Sequence, residues 1–169
     1  MQVTAWLLSA SYWMHMLATV AWLGGLAAYQ VLYLPGILGR PENGPDAAAV
    51  EWVHRRMDSL AWLSLAILIG TGLLQMSANP HYQGFLAFSN SWGVAILLKH
   101  VVFLGMLAVN AVQSWQILPA MKRQVLRQMK GLEMEEFDRL QRRSARLMRL
   151  NLALGVIVLA FTAMARAAL

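Results

Sequence analysis

Two histidines and a lysine lie inside apolar stretches of the sequence. His15 is part of WMHMLATVAWLGG, while Lys99 and His100 end the segment WGVAILLKH. An imidazole or amine among apolar residues needs a hydrogen-bond partner, a metal ion or a counter-charge to offset its desolvation. Imidazole nitrogens ligate iron and copper, and an amine binds carboxylates, ligates a metal when neutral, or transfers protons. These three residues are therefore the first candidates for a functional site.

The stretches that hold these residues are long enough to cross a bilayer. Of the 169 residues, 59% are hydrophobic and 13% are charged, and the mean hydropathy is +0.50. A membrane helix needs roughly 20 apolar residues. Apolar periodicity and chain breakers predict helices at about residues 4–34, 47–78, 90–119 and 133–166. No internal repeat or linker is evident, so residues 1–169 are predicted to form one domain, an all-α integral membrane four-helix bundle.

The basic residues are unevenly distributed between the connections. Lys and Arg flank the first and third connections, whereas the N-terminus and the second connection contain neither. The positive-inside rule therefore predicts a multi-pass protein of a bacterial-type inner (plasma) membrane, with both termini outside and connections one and three cytoplasmic. The net charge of +6 is explained by lipid contact, and nucleic acid is not expected as a partner. All acidic residues are expected in cytoplasmic or interfacial segments, which disfavours a carboxylate-based proton pump.

The two candidate histidines have similar predicted depths. The first and third helices run in the same direction. His15 lies about 11 residues into the first, roughly 16 Å, and His100 about 10 residues into the third, roughly 15 Å. Facing histidines at one level on two membrane helices are the usual axial ligands of a haem. The sequence therefore predicts one haem b per chain between helices 1 and 3, with His15 and His100 as iron ligands. No cysteine is present, so attachment through CxxCH is excluded.

Other residues are predicted to complete a haem site. Gly70, Thr71 and Gly72 have small side chains that would let a flat macrocycle approach helix 2. Arg166, near the end of the fourth helix, is predicted to pair with a haem propionate.

Lys99 is the alternative to His100 as second ligand. It lies on a helical stripe with Met106, Asn110 and Gln113, one step round the helix from His100, so the two side chains cannot point equally well at one iron. Lys99 is also the candidate catalytic residue, because it could hold a carboxylate or transfer protons.

The remaining histidines are assigned to the membrane surface. His54 neighbours Arg55 and Arg56, which favours a solvated or lipid-headgroup role, and no second histidine matches its depth. His81 falls in the second connection.

Copper is the alternative metal. The sequence has 11 methionines, but Met14 and Met16 diverge by about 200° on a helix and cannot converge with His15 on one ion. Met76 and Met106 remain candidate ligands.

Several segments resemble the CopD/HemJ group of small membrane proteins. They are HMLATVAWLGG, the following YLP, RRM before the second apolar run, WGVAILLKH and RLMRL. The resemblance to HemJ implies haem b and oxidation of protoporphyrinogen IX, with His15 and Lys99 at the family's histidine and lysine. The resemblance to CopD implies copper resistance or uptake. Gly36 and His54 stand where the HemJ pattern has Arg and Glu.

These observations predict a haem b-binding membrane protein that acts in redox chemistry or electron transfer, with the haem in the outer half of the bilayer. A protoporphyrinogen IX oxidase of HemJ type and a copper transport or delivery protein of CopD type are the alternatives. A subunit in which the histidines only form hydrogen bonds is a third interpretation. Whether the chain is a haem-dependent oxidoreductase stays open. Its expected partners are lipid, haem and a redox partner or porphyrin substrate, and homo-oligomers are compatible with this interpretation.

Overall fold

The computed structural model describes residues 5–35, 47–80, 82, 84, 91–130 and 136–167, and all regular structure in these ranges is helical. The helices are α1 (Ala5–Ala28), α2 (Ala47–Ser77), α3 (Ser91–Val112), α4 (Leu118–Met129) and α5 (Phe137–Ala167). Two π-helical segments continue α1 and α3 without a break. The first covers Tyr29–Tyr33 and the second Gln113–Ile117.

Four continuous helices are long and apolar enough to cross a membrane. They cover Ala5–Tyr33, Ala48–Ser77, Trp92–Met129 and Phe137–Ala167. The prediction of an all-α, four-helix membrane protein is therefore confirmed. The third helix runs well beyond its predicted end near Pro119. This proline falls in the first turn of α4, directly after the second π segment, where its fixed φ is compatible with a helix.

Two helix pairs form most of the bundle. α1 packs along α2, and α3 packs along α5, while α5 also contacts α1. α1 and α3 are not among the pairs with substantial contact. The two helices that carry His15 and His100 are thus diagonal to each other, and a ligand between them would lie inside the bundle.

The helices are joined by an apolar core at mid-length. Trp22 and Leu26 of α1 meet Leu65 of α2, Met106 of α3 and Met148 of α5. Many tryptophan and aliphatic side chains also cover the outside, which suits contact with lipid chains that are as apolar as the core.

Gly155 lies where α5 closely approaches α1. A Cβ at this position would overlap the side chain of Leu23 and would lie 3.3 Å from Cε of Met106. Small residues at such crossings let membrane helices approach one another closely.

The bundle has two chemically different halves. The start of α1 and the end of α5 lie together, because the Arg166 guanidinium is 5.4 Å from the Tyr12 ring. The half at this end is termed the termini half. The opposite half is termed the basic half, because the exposed Lys and Arg side chains of α4 and of the first part of α5 lie there.

Candidate functional site

The His15 ring is held by a hydrogen bond between α1 and α2. Its Nδ1 lies 2.7 Å from Oγ1 of Thr71, and the Thr71 hydroxyl donates its own hydrogen to the Ile67 carbonyl at 2.6 Å. The threonine oxygen therefore accepts from His15, so Nδ1 carries the proton and Nε2 keeps its lone pair. Nε2 has no hydrogen-bond partner among the described residues. Metal-ligating imidazoles typically donate their second nitrogen in this way.

Further contacts fix the register of α1 on α2 around this ring. The Ser11 hydroxyl donates to the Thr71 carbonyl at 3.3 Å, and Gln75 Nε2 donates to the Ser11 carbonyl at 3.2 Å. Gly72 faces the ring, because a Cβ there would lie 3.6 Å from His15 Cε1. Gly72 was predicted to leave space for a macrocycle. In the structure it leaves space for the His15 ring.

Two cations belong to the same end of the bundle. Lys99 of α3 interacts electrostatically with His15, and Arg166 of α5 interacts electrostatically with Lys99. Lys99 is partly buried, whereas Arg166 is exposed. The structure thus brings together His15, Thr71, Lys99 and Arg166 from all four membrane helices.

No acidic side chain lies among the described residues of this half. All eight acidic residues of the sequence fall within residues 42–58 and 133–138, in the connections before α2 and α5 or in the first part of these helices. Within the described residues, the termini half therefore contains cationic and neutral side chains only. Such a site attracts an anionic group.

His100 also donates from Nδ1. The acceptor is the Ile96 carbonyl of its own helix, at 2.7 Å. The ring lies about nine residues from the start of α3, roughly 14 Å, and His15 about ten residues from the start of α1, roughly 15 Å. Their pairing across the bundle stays a prediction. The described residues contain no cluster of three or more His, Cys, Asp or Glu that could hold a metal ion by themselves.

The predicted stripe of Lys99 is the interior face of the third membrane helix. Met106, Asn110 and Gln113 are all buried, with 2%, 5% and 7% of their surface exposed. Lys99 therefore lies on the face that points into the bundle.

Other predicted residues fall elsewhere. Gly70 is exposed, and a Cβ there would meet nothing within 4 Å, so the structure does not bring it to the site. Thr71 acts through its hydroxyl, not through its small size. His81 lies outside the described residues.

The predicted surface role of His54 is wrong. The residue is 1% exposed, its Nδ1 donates to the Val50 carbonyl at 2.8 Å, and its Nε2 accepts from the Tyr29 hydroxyl at 3.0 Å. Both ring nitrogens are thus used inside the basic half. The neighbouring arginines suggested an interface, but Val50, His54, Ala61 and Leu65 follow a buried helical stripe that could have indicated the interior.

Asp58 of α2 lines a cavity between the helices. Its carboxylate accepts a hydrogen bond from Ser114, whose oxygen accepts from Trp62 Nε1 at 2.7 Å. An interior carboxylate is therefore part of the basic half.

A comparison with known families identifies the chain's relatives. The family model for copper resistance protein D matches residues 51–165, about two thirds of the sequence. The match includes Asp58, Lys99 and His100, but His15 precedes it. No curated protein and no solved structure matches the chain. The chain belongs to the CopD family of membrane proteins.

Proposed function

We propose that this CopD-family protein binds one haem b in its termini half and acts in redox chemistry or electron transfer. His15 and His100 would ligate the iron, and Lys99 and Arg166 would bind the propionates. One observation carries the proposal. The His15 imidazole, whose Nε2 has no hydrogen-bond partner among the described residues, shares its half of the bundle with Lys99 and Arg166, and no described acidic side chain lies in that half.

Charge favours haem over a bare metal ion. A copper cation near His15 would be repelled by Arg166, and by Lys99 when it is protonated. Haem carries two propionates, which form strong charge-assisted hydrogen bonds with guanidinium and ammonium groups. Its porphyrin supplies four nitrogen ligands, so the protein needs to provide only one or two. Two histidines meet that requirement without a cluster of three ligating side chains.

The chain's own residues would set the properties of the bound group. When bound, haem supplies the one-electron chemistry of its iron. Thr71 fixes the orientation and tautomer of the His15 ring, and the Ile96 carbonyl does the same for His100. Lys99, on the interior face of α3, is placed to hold a carboxylate or to pass a proton. A porphyrinogen substrate of the HemJ type would present its propionates to the same two cations.

Copper handling is the second candidate, and the family description favours it. His15 Nε2 would then bind copper together with methionine sulfur. Met76 is the methionine to consider, because it is buried in the termini half against Trp92, Ala95 and Ala165.

The bound metal distinguishes these candidates. The full chain is expressed with ample haem and copper, purified in detergent, and analysed for haem b and copper per chain. We expect about one haem b per chain, as the two axial histidines imply, and no stoichiometric copper. Stoichiometric copper without haem would establish the second candidate. Absence of both would favour an assembly subunit with hydrogen-bonded histidines.

The second ligand is assigned by separate substitutions. His100→Ala should convert a low-spin reduced spectrum to a high-spin one, because one axial ligand is lost. Lys99→Ala should keep the low-spin bands but bind haem more weakly. His54→Ala, which removes a buried imidazole from the basic half, is the control. If Lys99→Ala loses the low-spin bands and His100→Ala keeps them, Lys99 is the ligand and the proposed axial pair is wrong.

A further inference from the structure

A small cavity lies inside the basic half, away from the proposed haem site. Its volume is about 20 Å³, and its polar lining comes from three membrane helices. Asp58 of α2 faces Asn110 and Gln113 of the third membrane helix and Asn151 of α5. A cavity of this size holds one water-sized species.

The amide side chains around the cavity have unmet hydrogen-bonding capacity. Asn110 Nδ2, Gln113 Oε1 and Asn151 Oδ1 have no hydrogen-bond partner among the described residues, although the three residues are only 4–7% exposed. Buried polar groups without partners are rare and costly, so each needs a physical explanation. Three on the walls of one cavity indicate that a bound species completes their interactions.

The cavity also contains an uncompensated negative charge. Asp58 accepts a hydrogen bond from Ser114, but no described Lys or Arg forms an ion pair with it. Asp58 lies about 11 residues into α2, roughly 16 Å from its start. A carboxylate that faces the inside of a helix bundle is stabilised by a positive charge bound close to it.

The ligand atoms and the space available favour a small, hard, monovalent cation. A carboxylate and amide oxygens are the ligands that such cations prefer. A 180° rotation of the Asn110 side-chain amide exchanges the positions of its nitrogen and oxygen. The cavity would then have a third amide oxygen as a ligand. One carboxylate balances one positive charge. Mg²⁺ usually retains several waters, which the cavity cannot accommodate.

The local backbone agrees with a binding site. Gln113 is the first residue of the second π segment, and π-helical turns within α-helices are frequent at functional sites. Asp58 is partly exposed, which provides a route for an ion to reach the cavity.

We propose that this cavity is a sodium-binding site, with oxygen ligands from Asp58, Gln113 and Asn151. The site is independent of the proposed haem function, because none of its residues contacts His15 or Lys99 in the described structure. A single water is the competing occupant. It would donate to the Gln113 and Asn151 oxygens and accept from Asn110 Nδ2.

Thermal unfolding of the purified full chain tests the site. The unfolding midpoint is measured from 1 to 100 mM NaCl, with choline chloride keeping the ionic strength constant. Because sodium would bind only the folded state, the midpoint should rise by several degrees across this range. Asp58→Asn should abolish the rise. Asp138→Asn removes the same charge from an exposed position at the start of α5 and should retain it.

The outcomes separate the two occupants. If the wild-type midpoint is the same in NaCl and in choline chloride, the sodium site is disproved and water is the occupant. If Asp58→Asn retains the full rise, sodium binds elsewhere and the assignment to this cavity is wrong. The comparison of wild type in NaCl and in choline chloride remains valid even if Asp58→Asn does not fold. Gln113→Leu then takes the place of Asp58→Asn as the variant expected to lose the sodium-dependent increase of the midpoint.

Discussion

The two halves of the bundle use histidine in opposite ways. His15 and His54 both direct Nδ1 to an oxygen, from Thr71 in the termini half and from Val50 in the basic half. They differ at Nε2. Nε2 of His54 accepts a hydrogen bond from the Tyr29 hydroxyl, whereas Nε2 of His15 has no hydrogen-bond partner in the described structure.

The two halves also differ in the charge of their polar side chains. The termini half contains His15 and His100 together with Lys99 and Arg166. The basic half contains the Asp58 carboxylate and amide oxygens that have no hydrogen-bond partner among the described residues. The first set suits an anionic metal complex and the second a hard cation. Burial alone therefore does not reveal the role of a membrane histidine. A second nitrogen that already has a hydrogen-bond partner indicates a structural role, whereas one without such a partner is able to bind a metal.

The largest effect on stability is expected at His54. His54→Ala should lower the free energy of unfolding by about 2–4 kcal/mol, because it opens a cavity and leaves the Tyr29 hydroxyl unpaired. Unfolding of the detergent-solubilised chain measures this, and haem per folded chain should stay unchanged. Wild-type stability combined with loss of haem would reverse the roles assigned to the two histidines.

A smaller effect, on haem affinity, is expected at Arg166. Arg166→Gln should weaken haem binding about tenfold, because a charge-assisted bond to a propionate is lost. Haem titration followed by absorbance gives the dissociation constant. Arg142→Gln removes the same charge from an exposed position in the basic half and should leave the constant unchanged. Equal weakening in both variants would show that the effect is one of overall charge.

The smallest effect is expected from a pair of glycines on α2. Gly72→Leu should displace the His15 ring, weaken haem binding a few-fold and shift its absorption bands, because the ring lies next to the missing Cβ. Gly70→Leu adds the same side chain where a Cβ meets nothing within 4 Å. The same haem titration should therefore give wild-type values for Gly70→Leu. Identical behaviour of the two variants would contradict the placement of the ring.

The helices could be predicted from the sequence, whereas the roles of individual polar residues could not. Long apolar runs gave four spans close to those observed, because membrane thickness limits helix length. The predicted end of the third helix at Pro119 is wrong. The proline is accommodated because it follows a π segment, and the local change of helical register in that segment was not evident from the sequence. The charged neighbours of His54 indicate the membrane surface, but its partner Tyr29 comes from another helix, as does the partner Ser114 of Asp58. Such contacts depend on helix rotation, which local sequence does not specify. The stripe from Lys99 to Gln113 was predictable because it belongs to a single helix.

Ligation of a haem iron by His15 can be measured in the reduced-minus-oxidised absorption spectrum of the full chain. Wild type and His15→Ala are expressed with ample haem and compared at equal amounts of folded protein. We expect the bands of haem b in wild type and their loss in His15→Ala, with the unfolding midpoint largely retained. A colourless wild-type protein, or a His15→Ala variant with an unchanged spectrum, would contradict it.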